Sequence, residues 1–130
     1  MASTSKKEGP AIAEIKAKPG KTCVSVNPGI CGFRCRIETR KIDKNIVSIK
    51  IFESECRQIQ QFCGLLSKIA LRELFMPITR NPVYKAAEQS GCHPSCPIPA
   101  AVLKAVEVSM EMALPQDVSI RFEPCKGEKD

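Results

Sequence analysis

The chain has 130 residues, of which 43% are hydrophobic and only 5% aromatic, and its formal net charge is +6. That length fits one domain with an aliphatic core and leaves no room for a second independent core. No run of about 18 apolar residues occurs, so a helical membrane span is excluded.

Residues 1–20 are polar and lysine-rich and end in Pro19-Gly20. They read as a flexible basic extension, with a weak alternation over 11–18 that suggests a stray edge strand. The first residues lack the apolar core of a signal peptide, so the protein is expected in the cytoplasm. Thr22 to Val26 reads as a short strand, closed by the turn Asn27-Pro28-Gly29. Phe33, Cys35, Ile37 and Thr39 then alternate with Arg34, Arg36, Glu38 and Arg40, the pattern of a strand with one apolar and one charged face. Asp43-Lys44-Asn45 turns the chain into a third strand, Ile46 to Phe52, with Val47, Ile49 and Ile51 on one face.

Ser54 is placed to cap a helix, and Ile59, Phe62, Cys63, Leu66 and Ile69 follow helical spacing after it. Asn81-Pro82 starts a second helix, which Gly91 ends. Residues 92–99 hold three prolines and read as a stiff loop. Val102, Val106, Met110 and Ala113 form the stripe of a third helix, and Val118, Ile120 and Phe122 alternate as a last strand. The expected fold is α+β: an antiparallel sheet of three to four strands with two to three helices on one face, in the order β-β-β-α-α-α-β. The domain is expected over residues 21–123, with a polar tail at 124–130.

Eight cysteines in a reducing compartment read as thiols, metal ligands or core residues rather than as a disulfide frame. Cys35 and Cys63 fall on apolar faces and read as core, as does Cys23. Cys125 lies in the polar tail. Cys31 sits beside the turn at Gly29, and Cys56 lies in the first turn after Ser54. Cys92 and Cys96 bracket the proline-rich loop, with Cys96 directly before the third helix. A helix N-terminus stabilises a thiolate, so Cys56 and Cys96 are expected to ionise most readily. His93, the one histidine, lies between Cys92 and Cys96. Thiolate and imidazole donors suit Zn²⁺ or an iron–sulfur cluster equally. Two features weigh against this. The loop spacing is C-x3-C, unlike the C-x2-C of zinc knuckles. Cys31 and Cys35 on one strand face would also be about 13 Å apart at ~3.3 Å per residue.

Other chemistry is missing from the sequence: there is no phosphate loop, dinucleotide fingerprint or serine nucleophile elbow. The basic strand reads as a solvated face rather than a nucleic-acid surface, since its aromatic, Phe33, falls on the opposite side.

The motifs Pro28-Gly29-Ile30-Cys31-Gly32-Phe33, Ser54-Glu55-Cys56 and His93-Pro94-Ser95-Cys96-Pro97-Ile98-Pro99 resemble those of a small family of short prokaryotic proteins, common in anaerobes, of unknown function. The resemblance covers about residues 21–122. It implies no activity, but its motifs fall on Cys31, Cys56, His93 and Cys96, which become the candidate ligands ahead of Cys92. Three readings follow: a metal or cluster site on these four residues, a thiol-based redox or cysteine-nucleophile protein, and a non-catalytic interaction module that dimerises through a sheet edge.

Overall fold

A computed structural model describes residues 20–127. The basic extension and its suggested strand therefore lie outside the described residues, apart from Gly20, as do residues 128–130 of the tail.

Four strands form one antiparallel sheet in the order β1-β2-β3-β4: β1 Lys21–Val26, β2 Cys35–Asp43, β3 Ile46–Phe52 and β4 Lys68–Ala70. The helices are α1 Arg57–Leu65, α2 Leu71–Leu74, α3 Pro82–Gln89 and α4 Ile98–Ser109, with a 3-10 turn at Ile78–Arg80. The expected α+β class is therefore observed. The fourth strand, however, is β4, inserted between α1 and α2. Three residues are too few for alternation to show, and Ile69 instead matched the helical spacing of α1. Among the described residues, 115–127 contain neither helix nor strand, so the alternation of Val118, Ile120 and Phe122 is not realised as one. Among the described residues, 20–114 belong to one compact body and 115–127 to a second unit.

Alternation sets the two faces of the sheet. Cys35, Ile37 and Thr39 of β2 and Val47 and Ile49 of β3 are buried, while Arg36, Arg40 and Lys50 are exposed. The buried side joins Ile59 and Phe62 of α1, Val83 of α3, and Ile98, Val102, Ala105 and Val106 of α4 in one core. Burying an aliphatic or phenyl side chain of this size contributes about 1.5–3 kcal/mol. The helices thus cover one face only.

Two polar arrangements lock this layer. Thr22 and Thr39, paired across β1 and β2, meet Ser109 near the end of α4: Ser109 Oγ lies 2.7 Å from Thr39 Oγ1 and donates to Thr22 Oγ1 at 2.9 Å. Thr39 Oγ1 also donates to the Ala105 carbonyl at 3.1 Å. Asn81 is the N-cap of α3, as its sequence signature predicts: its Oδ1 accepts from the Val83 N–H at 3.0 Å. Its Nδ2 donates to the Glu73, Leu74 and Met76 carbonyls, which ties down the chain between α2 and α3. No helix among the described residues is long and apolar enough to cross a membrane.

Candidate functional site

Three loops deliver cysteines to one corner of the compact body. The first joins β1 to β2. Its Asn27 side chain accepts from the Gly29 N–H, and the Gly32 N–H donates to the Gly29 carbonyl at 2.9 Å. Gly32 has φ +72°, a conformation that costs a side-chain-bearing residue energy. Cys31 lies inside this turn, ahead of β2, which begins only at Cys35. The distance objection from the sequence therefore falls away, because the two cysteines do not share one extended strand.

The second loop joins β3 to α1. Ser54 is not the N-cap: Cys56 is, and α1 begins at Arg57. Ser54 Oγ accepts from the Cys56 N–H at 3.2 Å, and its carbonyl accepts from the Gln60 side chain at 3.0 Å. A serine two residues early thus fixes the backbone that carries Cys56. The Cys56 thiol donates to Gln58 Oε1 at 3.3 Å.

The third loop joins α3 to α4. Gly91, at φ +74°, ends α3, and the Cys92 N–H bonds back to the Ala87 carbonyl at 3.0 Å. The Cys96 N–H donates to the His93 carbonyl at 3.1 Å, which closes a turn over 93–96. A Cβ placed on Gly91 would lie 3.9 Å from Gln58 Cγ. The second and third loops are therefore neighbours, and Gln58 stands between the Cys56 thiol and the start of the third loop.

Cys56, Cys92 and Cys96 pack against the core that contains Cys35. Their mutual influence is visible in their acidities. Burial raises Cys35 from 9.0 to about 11, and the charges of Cys96 and Cys56 add to the rise. Cys92 is raised by burial, then by Cys96 and Cys56. Cys96 is also raised, by burial first; a hydrogen bond from the Ile98 backbone opposes this, and Cys56 and Cys31 reinforce it. Cys56 and Cys96 thus lie within electrostatic reach of Cys35, Cys92 and each other, and Cys31 within reach of Cys96.

This corrects two expectations. The helix start does supply a hydrogen bond to Cys96, but desolvation outweighs it, so the Cys96 thiol is harder to ionise than a free thiol, not easier. Cys35, read as plain core, is buried as expected yet belongs to the thiol cluster. Among the other cysteines, Cys23 is exposed on the outer sheet face rather than in the core, and Cys125 is exposed. Cys63 is half-buried and donates to the Ile51 carbonyl at 3.6 Å.

Of the four residues singled out from the sequence, Cys56 and Cys96 are half-buried on the core, as is Cys92, and Cys31 is exposed on its own loop. His93 is exposed and does not figure among the charges acting on the raised thiols. Among the described residues, no group of three or more His, Cys, Asp or Glu side chains is placed to hold a metal ion.

The family of unknown function DUF6951 matches residues 22–122. The chain belongs to that family. The DUF6951 match takes in the sheet except Lys21, all four helices and the three cysteine loops, and it agrees with the family expected from the motifs. No curated protein and no solved structure matches the chain.

Proposed function

We propose that this domain binds a soft metal centre, Zn²⁺ or an iron–sulfur cluster, through Cys31, Cys56, Cys92 and Cys96. What supports this reading is that Cys56 and Cys96, from two separate loops, pack against one core beside Cys92, and that Cys31, from a third, acts on the charge of Cys96. Half-buried thiols such as Cys92 and Cys96 resist ionisation because burial disfavours the charged form, and neighbouring thiols add to this. A cation reverses that balance, because each thiolate then faces a positive charge instead of only like charges. The donors sit on turns rather than inside strands or helices, so a metal can draw them inward while the sheet stays fixed. Exposed His93 is the alternative fourth donor, in place of Cys92. A cytoplasmic setting, where thiols stay reduced, belongs to the same reading.

The second reading is a dithiol–disulfide couple on the same residues. It is favoured by the absence, among the described residues, of three side chains placed to hold a metal. Two thiols suffice for it: they lose two protons and two electrons to an acceptor and form one S–S bond.

Protein purified without oxygen and analysed for zinc, iron and acid-labile sulfide separates the two. The metal reading predicts bound metal in proportion to chain, and its loss in Cys56→Ser. A folded, metal-free protein whose thiols oxidise reversibly in pairs in a glutathione buffer would establish the second reading instead.

A further inference from the structure

The face of the sheet away from the helices carries a different signal. Register places Lys21, Arg40, Ser48 and Lys68 in one row across β1, β2, β3 and β4. The next row is Cys23, Glu38 and Lys50, and the one after it is Ser25, Arg36 and Phe52. Neighbouring positions lie about 5 Å apart across the strands and about 7 Å apart along them, so Arg40 and Lys50 are diagonal neighbours and Ser48 separates Arg40 from Lys68. Glu38 is held by Lys21 at 3.2 Å, and Arg36 reaches Glu53 only at 4.0 Å with both side chains exposed. Arg40, Lys50 and Lys68 have no ion-pair partner among the described residues. A shallow depression on this face is lined by Glu38, Arg40, Ser48 and Lys50.

Phe33, the aromatic of the basic stretch, lies ahead of β2 and outside the sheet. Phe52, at the end of β3, faces outward directly opposite Arg36 and is 41% exposed. An aromatic ring beside unpaired cations on an open antiparallel face meets the requirement that β2 alone did not. We propose that this outer face binds single-stranded nucleic acid, with Arg40, Lys50 and Lys68 on the phosphates and Phe52 stacking an unpaired base. An acidic peptide would use the cations but has no use for the ring. A duplex would hide its base faces from Phe52. The net charge of +6 helps any polyanion to approach.

The test is fluorescence anisotropy of the full chain with a labelled single-stranded DNA oligonucleotide of about twelve nucleotides. An RNA strand of the same sequence, the matching duplex and polyglutamate serve as competitors. The single strand should bind with an affinity that falls steeply with salt. Arg40→Ala/Lys50→Ala should bind at least ten-fold more weakly, with a salt slope shallower by about 1.4 for two lost phosphate contacts. Phe52→Ala should weaken single-strand binding by roughly five- to a hundred-fold and leave any residual duplex binding unchanged. All three side chains are exposed, so the fold is expected to survive, and circular dichroism checks this. No binding at low salt would overturn the proposal. So would unaltered affinity in folded variants, or competition by duplex or polyglutamate equal to that by the strand.

Discussion

Replacing Cys35 by alanine should remove a loss of stability that the native protein suffers at high pH. The Cys35 thiol is 2% exposed and sits beside Cys56 and Cys96. Folding raises it from 9.0 to about 11. A group raised on folding contributes fully below its unfolded value, and that contribution is lost as pH rises through the folded value. The window is therefore pH 9 to 11. Each pH unit corresponds to about 1.4 kcal/mol, so two units give a loss of about 2.7 kcal/mol. Urea denaturation of metal-free, fully reduced protein at several pH values across this window measures it. Cys92 and Cys96 are raised in the same direction, but both remain in the variant. The difference between native and Cys35→Ala curves therefore isolates Cys35. The fixed packing cost of the substitution drops out of the comparison because it does not vary with pH. The native protein should lose up to about 2.7 kcal/mol more than the variant between the two limits. Parallel curves would refute the argument that this thiol is held neutral by burial and by neighbouring thiols.

Ser109→Ala removes the hydroxyl that links Thr22 and Thr39 to α4 and leaves buried polar groups short of a partner, at a cost of about 1–3 kcal/mol in chemical denaturation. Asn81→Ala takes away both the N-cap of α3 and the donor to three carbonyls; a loss of about 2–4 kcal/mol is expected, with the far-UV signal of the folded state nearly unchanged. Metal content after anaerobic preparation should fall in Cys92→Ser and stay at the native level in His93→Ala, and the reverse outcome would make His93 the fourth donor.

The parts of the fold that were legible in the sequence are those set by local pattern. Alternation over Cys35 to Arg40 and over Ile46 to Phe52 shows both central strands and their buried faces, because the side-chain period of a strand is two residues whatever lies around it; the alternation at Phe33 and Arg34 is not part of a strand. Asn81-Pro82 and Gly91 marked the ends of α3 through backbone chemistry that needs no tertiary context. Ser54 does not cap α1 as its position suggested: Cys56 is the N-cap, and the serine side chain bonds to the Cys56 N–H ahead of the helix. What depends on assembly was not legible. β4 exists because Val47 has Ile69 across from it, a pairing that three residues cannot announce. Cys92 and Cys35 join the thiol cluster only because loop and strand start meet at one corner; the position of Cys35 at the first residue of β2, next to the loop carrying Cys31, was the available hint. The place of Phe52 beside the basic stretch is not legible in β2 alone, because a sheet face is shared between strands.

X-ray absorption at the metal edge of anaerobically purified protein tests the thiol corner most directly. The account predicts a zinc or iron atom with sulfur neighbours at about 2.3 Å, and fewer of them in Cys56→Ser. An edge showing only oxygen and nitrogen neighbours in the native chain would contradict it.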